Sequence, residues 1–170
     1  GHGEAVARHA ETIGKELMLA PDDLADLLYA ARVHDVGKIV IPEQILNKPE
    51  VLNEEEYTTA QMHAAVGSQL VQTIPDSDRI RRCVRHHHER FDGKGYPDGL
   101  TGEQIPLGAR ILAVADAYVH MTTDRPYAAV KSPADAMREL EANSGTQFDG
   151  MLVRIFVHQL KDEGVTRRGN

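Results

Sequence analysis

The segment 109–120 constrains the fold more than any other stretch of the chain, because its apolar residues cover most sides of a helix. A helix of that kind has to be surrounded by other elements, so we expect it at the centre of the protein. Apolar residues also recur at helical spacing through Ile13 and Leu17, and again from Leu24 to Ala31. The pattern therefore predicts an all-α protein, a single helical bundle packed around this segment.

Local sequence signals mark the ends of two helices. Pro21, followed by two aspartates, begins the second helix, which is expected to end near Gly37. Asn53 and Glu56 have the spacing of a capping box and begin a helix that runs to about Ile74. These signals fix the first half of the predicted bundle.

The second half contains three more predicted helices and one long loop. The helices cover about 76–89, a segment that begins at Ser132, and 148–160. The stretch 38–53, with two prolines, is expected to be an ordered connection. Five glycines and two prolines in 91–108 prevent long regular structure and predict a tightly turned loop. This loop is too long to be a simple connector.

Length and composition limit the classes of protein to consider. A chain of 170 residues suffices for one domain that buries roughly 70% of its unfolded surface, and we assign 1–160 to it and 161–170 to a frayed or disordered polar tail. The net charge of −7 argues against general binding to DNA or to a membrane surface. One cysteine excludes an internal disulfide framework and a Cys-rich zinc module, and it suits a cytoplasmic protein. No apolar run approaches the roughly 20 residues that span a bilayer.

Nine histidines in a chain without tryptophan are the unusual feature of the composition. They are spread along the chain, so they are not a tag. Their positions are 2, 9, 34, 63, 86, 87, 88, 120 and 158.

The pair His34 and Asp35 lies within an apolar stretch. Adjacent side chains diverge on a helix, so one metal ion can use both only where the helix unwinds, and Gly37 provides such an end. A solvated pair is the alternative. An aspartate with these apolar neighbours is costly to bury unless it is paired or bound to a metal.

Two further sequence features also offer side chains that can bind a metal. His86, His87 and His88 spread over about 200° of helix, so at most two of them share one site; the alternative is that only one matters. Asp116 interrupts the apolar segment 109–120, which makes it a candidate ligand or catalytic acid.

The remaining candidates are ambiguous from the residues alone. His63 fits a core or surface histidine as well as a ligand, and His2 is close enough to the terminus to be disordered or an added residue. Cys83 lies one turn before His87 but is expected to be a small buried side chain. Histidine and aspartate without thiolates favour iron, manganese, nickel or zinc over calcium, and the number of candidates indicates more than one ion.

Several strings in this order resemble the HD-GYP family, a subgroup of the HD phosphohydrolase superfamily that hydrolyses cyclic di-GMP in bacteria. They are HDVGK at 34–38, HHERFDGKGYP at 87–97 and RPY at 125–127, with shorter matches at 41–42, 45–49 and 148–149. The resemblance extends from about residue 2 to residue 159.

The resemblance implies a set of metal ligands and a cofactor. The ions would be two divalent metals, iron or manganese, with nickel or zinc as alternatives. The four histidines at 9, 86, 120 and 158 match no ligand position and are assigned to packing or to the surface. The implied ligands are His2, His34, Asp35, His63, His87, His88 and Asp116.

The resemblance also implies roles in catalysis. Asp35 would bridge the two ions, and Lys38 would meet the scissile phosphate. Arg125 would contact the substrate, and Tyr96 lies on the loop that names the family. Cyclic di-GMP would be opened to pGpG and then to GMP. In this hypothesis one ion is completed by His2, His34 and Asp116, and the other by His63, His87 and His88.

The sequence departs from the family pattern at three places. A glutamate ligand of some members would fall before Gly1, so a trinuclear site of that type is not expected. Val119 replaces a usual acid. Ala128 replaces a common basic residue, which weakens the case for binding a second phosphate, although Lys131 could reach the same region.

Other functions stay open at this point. One is a phosphodiesterase for another cyclic dinucleotide, such as cyclic GMP-AMP. The other is a catalytically weak receptor for cyclic di-GMP, or a module that binds a partner such as a diguanylate cyclase domain through the GYP loop. The resemblance implies an upstream sensory or receiver domain. We expect a cytoplasmic domain that contacts neither DNA nor a membrane.

Overall fold

The computed structural model describes residues 1–124 and 129–168, with side chains described as far as residue 163. These residues form helices joined by loops, and they contain only isolated β-bridges. The all-α prediction is confirmed. The helices are α1 (His2–Glu16), α2 (Pro21–Val33), α3 (Glu43–Leu46), α4 (Glu54–Val71), α5 (Asp78–His86), α6 (Leu107–Thr122), α7 (Pro133–Ala142) and α8 (Gly150–Arg168).

Helix α6 lies at the centre of the bundle, as its apolar pattern predicts. It contacts α1, α5, α7 and α8. Ile111, Leu112, Val114 and Ala115 are fully buried in it, because neighbouring helices cover it on several sides. The core therefore surrounds the one helix that also carries Asp116.

The predicted helix starts are confirmed at three places. Pro21 is the first residue of α2. At α4, the Asn53 side chain accepts a hydrogen bond from the Glu56 amide, and the Glu56 side chain accepts one from the Asn53 amide. At α7, the Ser132 hydroxyl accepts a hydrogen bond from the Asp135 amide. Each contact satisfies an amide that the first turn of a helix leaves unpaired.

Other helix ends differ from the prediction. Helix α5 ends at His86 rather than near residue 89, and α4 ends at Val71, before the predicted residue 74. Helix α8 continues to Arg168, through the stretch expected to be a frayed tail. Hydrophobic periodicity alone does not detect a helical segment made of polar residues.

A buried ion pair joins α6 to the start of α8. Arg110 Nη1 lies 2.7 Å from Asp149 Oδ2, and both side chains are almost fully buried.

None of the helices in the described residues combines the length and apolar character needed to cross a membrane. The cytoplasmic location expected from the sequence stays a prediction.

Candidate metal centre

Five separate parts of the fold bring the seven predicted ligands together. His2 is the first residue of α1, and His34 with Asp35 directly follows α2. The others come from α4, from the turn after α5 and from α6. We call this group the histidine–aspartate centre; its members are His2, His34, Asp35, His63, His87, His88 and Asp116.

The unwinding that the pair His34 and Asp35 requires is present. Helix α2 ends at Val33, and the chain passes through a turn into a 3₁₀-helix, Val36–Val40. Gly37 in this 3₁₀-helix packs backbone to backbone on α4, where an added Cβ would lie 2.0 Å from the His63 carbonyl oxygen. The close approach therefore requires glycine and brings His34 and Asp35 up to His63.

Three buried histidines of the centre share one hydrogen-bonding pattern. The Nδ1 atoms of His34, His63 and His87 lie 2.7, 2.6 and 2.7 Å from the backbone carbonyl oxygen three residues earlier. A carbonyl only accepts, so each Nδ1 carries a proton, and in the neutral form of each ring Nε2 presents a lone pair. All three Nε2 atoms are buried without a hydrogen-bond partner. Buried polar atoms are normally paired, and metal-binding histidines commonly donate their other ring N–H to a carbonyl, so a cation suits these atoms.

The carboxylate of Asp35 lies between two of these histidines. Its Oδ2 atom is 3.6 Å from His34 Nε2, and its Oδ1 atom is 3.8 Å from His63 Nε2. The two oxygens thus face different histidines: Oδ2 faces His34, and Oδ1 faces His63, which belongs to the second group described next. The carboxylate therefore offers one oxygen towards each of these two histidines.

His63, His87 and His88 form a compact second group. The His63 ring centroid is 5.5 Å from that of His87 and 4.9 Å from that of His88, and the rings of His87 and His88 are 4.0 Å apart. One nitrogen of each lies within 4.8 Å of the others. Of the three adjacent histidines, the last two therefore share the site. His86 instead faces Glu89 and Asp98.

Asp116 joins α6 to the other side of the centre. Its Oδ1 atom is 2.8 Å from His2 Nε2 and 3.6 Å from His34 Nε2. The alternative that His2 is disordered is not what the structure shows, since His2 begins α1 and contacts Asp116.

Burial controls the protonation of the imidazoles. Burial lowers the pKa of His63 and of His87, and it lowers the pKa of His88 to about 3. Burial acts in the same direction on His34, but the two nearby carboxylates outweigh it and hold its pKa above the usual value. The second group is therefore neutral near pH 7, which is the form of histidine that binds metals.

Both carboxylates stay ionised. Burial alone would raise the pKa of Asp116, but hydrogen bonds from the surrounding histidines, His120 first, hold that pKa well below its usual value. For Asp35 the charges of His34 and Lys38 outweigh burial and lower the pKa. Ionised carboxylates beside the neutral imidazoles of His63, His87 and His88 form a donor set suited to divalent transition metals.

The glycine-rich loop places Tyr96 on the centre. The Tyr96 ring stacks on His88, with centroids 5.0 Å apart and planes 24° apart, and it meets Tyr57 at 6.4 Å. Gly95 permits this placement, because a Cβ there would lie 2.3 Å from the Arg90 amide nitrogen. Burial raises the pKa of Tyr96 above its usual value, so its hydroxyl stays protonated.

Glu89 anchors this loop from the end of α5. Its carboxylate is buried and accepts hydrogen bonds from three successive backbone amides, those of Asp98, Gly99 and Leu100, at 2.7, 3.1 and 3.1 Å. Arg85 adds a bidentate pair to Asp98, at 2.8 Å for each bond. In the sequence, Glu89 is recognisable only as part of the string 87–97. The signal in the sequence for this anchoring role was one negative charge beside a glycine-rich segment.

Of the other residues singled out in the sequence, one lies at the centre and the rest do not, or lie outside the described residues. Lys38 Nζ is 2.7 Å from Asp35 Oδ2, so Lys38 belongs to it. Arg125 and Ala128 lie outside the described residues. Val119 is buried in the core, and Lys131 contacts Glu139.

Of the four histidines assigned to packing or to the surface, His86 is described above, and the other three lie in different parts of the structure. His9 packs against Tyr118 and Phe156, with ring centroids 5.0 and 5.4 Å away, and His158 is exposed on α8. His120 is the exception, since its Nδ1 atom lies 2.8 Å from Asp116 Oδ1. The structure thus places His120 at the centre, and its four-residue spacing from Asp116 on one helix was the signal.

Comparisons with known proteins identify the family of the chain. The model of the HD domain family matches residues 1–152. A 3'3'-cGAMP-specific phosphodiesterase of Vibrio cholerae is 36% identical over 88% of this chain and 32% of its own length. A cyclic di-GMP phosphodiesterase of Thermotoga maritima is 34% identical over 95% of this chain and 44% of its own length.

The fold is similar to that of a solved structure. A cyclic GMP-AMP specific phosphodiesterase of V. cholerae superposes with a TM-score of 0.76 at 23% identity, over 95% of this chain and 44% of the other. The chain therefore spans less than half the length of the relatives compared here.

Proposed function

The chain belongs to the HD domain family, and from that premise we propose that it is a metal-dependent phosphodiesterase that hydrolyses cyclic di-GMP. The observation that carries the proposal is the set of three buried Nε2 atoms without hydrogen-bond partners. Two of them, on His34 and His63, face the carboxylates of Asp35 and Asp116. Buried histidines that serve only packing normally have these atoms paired.

The donor set fits two divalent ions. His2, His34 and Asp116 would hold one ion, His63, His87 and His88 the other, and Asp35 would contact both. We propose iron or manganese, with nickel or zinc as alternatives, since imidazole and carboxylate ligands suit these metals. Bound there, the ions would lower the pKa of water and polarise the phosphate.

Lys38 is the residue best placed to hold the scissile phosphate. Its side chain is 39% exposed while its ammonium contacts Asp35, so it can meet an anion at the centre without leaving its position on the 3₁₀-helix. A point-charge ammonium stabilises negative charge that develops on a phosphate. Tyr96, on the adjacent loop, would border the substrate. The role of Arg125 stays a prediction.

The reaction is hydrolysis of one of the two phosphodiester bonds of the ring. The oxygen of water forms a bond to phosphorus, the bond from phosphorus to the 3′ oxygen breaks, and that oxygen takes a proton. The product is linear pGpG, and a second hydrolysis gives GMP. The ionised Asp35 and the neutral imidazoles supply the ligands, and Lys38 supplies the counter-charge.

A second substrate has support from a specific observation. Relatives named for cyclic di-GMP and for 3'3'-cGAMP match the chain at 34% and 36% identity, so sequence similarity does not separate them. Both compounds are cyclic dinucleotides with the same phosphodiester chemistry. A partner-binding role of the loop towards diguanylate cyclase domains stays a prediction.

The test is hydrolysis by protein loaded anaerobically with manganese or iron. Each cyclic dinucleotide is supplied separately, and the products are separated by chromatography. We expect metal-dependent pGpG from cyclic di-GMP, abolished in Asp35→Asn and His63→Ala and retained in the control His158→Ala. Loaded wild-type protein that binds cyclic di-GMP and leaves it intact would indicate a receptor and overturn the proposal.

A further inference from the structure

We propose that His120 is a positioning residue that holds the carboxylate of Asp116 towards the metal. The inference rests on the proposed metal-dependent function, and it concerns a histidine that matches no ligand position of the family. His120 would act through Asp116 and not as a ligand itself.

The geometry of His120 identifies it as a hydrogen-bond donor. It lies four residues after Asp116 on α6, so both side chains occupy one face of the helix. Its Nδ1 atom is 2.9 Å from the Asp116 backbone carbonyl oxygen and 2.8 Å from the Asp116 Oδ1 atom. Neither oxygen can donate, so Nδ1 carries the proton.

The neighbour on the other side of Asp116 has a different role. His2 Nε2 is also 2.8 Å from Asp116 Oδ1, but it comes from α1 and faces His34 as well. His2, His34 and Asp35 offer atoms within 4.8 Å of one another, and so do His2, Asp116 and His120. A metal ion bound by His2 would take its Nε2 lone pair, and His120 would remain the donor to Asp116.

The burial of Asp116 makes the hydrogen bond from His120 important. The Asp116 side chain is only 10% exposed, so water replaces a lost protein partner poorly. The His120 ring also meets the His2 ring edge-on, with centroids 4.7 Å apart. His120 thus restrains two neighbouring ligands from the solvent side, where its own side chain is 30% exposed.

The experiment compares His120→Ala, His120→Asn and the control His158→Ala. Manganese affinity is measured by competition with a chelator, metal stoichiometry by elemental analysis, and folding by circular dichroism. We expect His120→Ala to bind manganese about 10- to 100-fold more weakly with unchanged stoichiometry at saturation, the usual effect of removing an outer-shell partner. The asparagine amide can donate from the position of Nδ1, so His120→Asn should keep most of the affinity.

Three outcomes would overturn the inference. Unchanged affinity in His120→Ala would show that Asp116 needs no such partner. Loss of one metal equivalent at saturating manganese would make His120 a ligand. Equal weakening in His120→Asn and His120→Ala would show that the donor position is irrelevant.

A metal-free measurement keeps the inference separate from the proposed function. Nitrogen-15 NMR of the metal-free protein reports which ring nitrogen of neutral His120 carries the proton. We expect the Nδ1–H form, and the Nε2–H form would contradict the positioning role whatever the enzyme does. If the tautomer and the affinities agree with expectation while no cyclic dinucleotide is cleaved, only the proposed function fails.

Discussion

Single residues of the centre are oriented by their own helices. The rings of His34, His63 and His87 are each tied to a carbonyl oxygen three residues earlier, so their direction is a local property of the backbone. Ligands fixed in this way lose little side-chain freedom when a metal binds. Much of the geometry of the centre is therefore set by the backbone of these helices.

The sequence could predict which residues belong to the centre better than how they are used. Asp116 was identifiable because an acid within an apolar helix needs a partner. His63 and His2 required the family resemblance, since nothing local separates them from ordinary histidines. The four-residue spacing of His120 from Asp116 was a local signal, but that spacing alone does not show that the two side chains meet, which depends on their rotamers.

A prediction at this scale concerns Cys83. Burial raises the pKa of its thiol to about 12, whereas an unfolded cysteine titrates near 8.5. Between these values the unfolded state has lost a proton that the folded state keeps, so stability falls as pH rises. From pH 8 to pH 10 the wild type should lose ~2 kcal/mol more than Cys83→Ala.

Urea unfolding of both proteins at the two pH values measures this difference. All other titratable groups are present in both proteins, so their contribution cancels. Equal losses in the two proteins would show that the thiol ionises as easily in the folded state as in the unfolded state.

At the scale of elements, the centre is built where helices end. Helix α2 stops before His34 and α5 stops before His87, so the adjacent ligand pairs lie on turns that can direct both side chains to one site. The sequence indicated the first of these ends through Gly37. The end of α5 was not predictable, because the three histidines after Arg85 contain no helix-breaking residue.

Gly37→Ala tests the contact between these elements. A Cβ at residue 37 would meet the backbone of His63 and of Gly67, at 2.0 and 2.5 Å, and a backbone cannot move aside as a flexible side chain can. We expect a loss of roughly 1–3 kcal/mol in unfolding free energy, together with weaker manganese binding, because His34 and Asp35 shift away from His63.

The matched control is Gly14→Ala in α1. There the closest atoms belong to the side chains of Leu24 and Leu19, at 2.8 and 3.3 Å, in a contact between α1 and α2. This variant should keep the manganese affinity of the wild type. Unfolding by urea and chelator competition measure the two quantities, and wild-type affinity in Gly37→Ala would contradict the expectation.

At the scale of the whole molecule, the ligands come from residues 2 to 116 and meet only in the folded bundle. The sequence predicted the all-α class and the central α6, since both follow from hydrophobic periodicity. It did not predict which helices pack together. Those contacts depend on the long-range fit of side chains, which no local signal reports.

Metal should therefore stabilise the entire fold. An ion that binds the native state alone adds about 2.7 kcal/mol at a concentration 100-fold above its dissociation constant, which raises Tm by roughly 5–10 °C in a domain of this size. Thermal unfolding with manganese and with EDTA measures the shift. Asp35→Asn should show a much smaller shift, and an equal shift in both proteins would place the binding elsewhere.

The anchoring of the glycine-rich loop by Glu89 has a consequence for hydrogen exchange. Loops of this composition usually exchange their amide hydrogens quickly, yet the amides of Asp98, Gly99 and Leu100 all donate to one buried carboxylate. Their exchange requires the loop to leave the end of α5, so the three should exchange together and slowly. Glu89→Gln should accelerate all three while leaving the amides of α6 protected. In exchange behaviour this segment would then belong to the core and not to the surface.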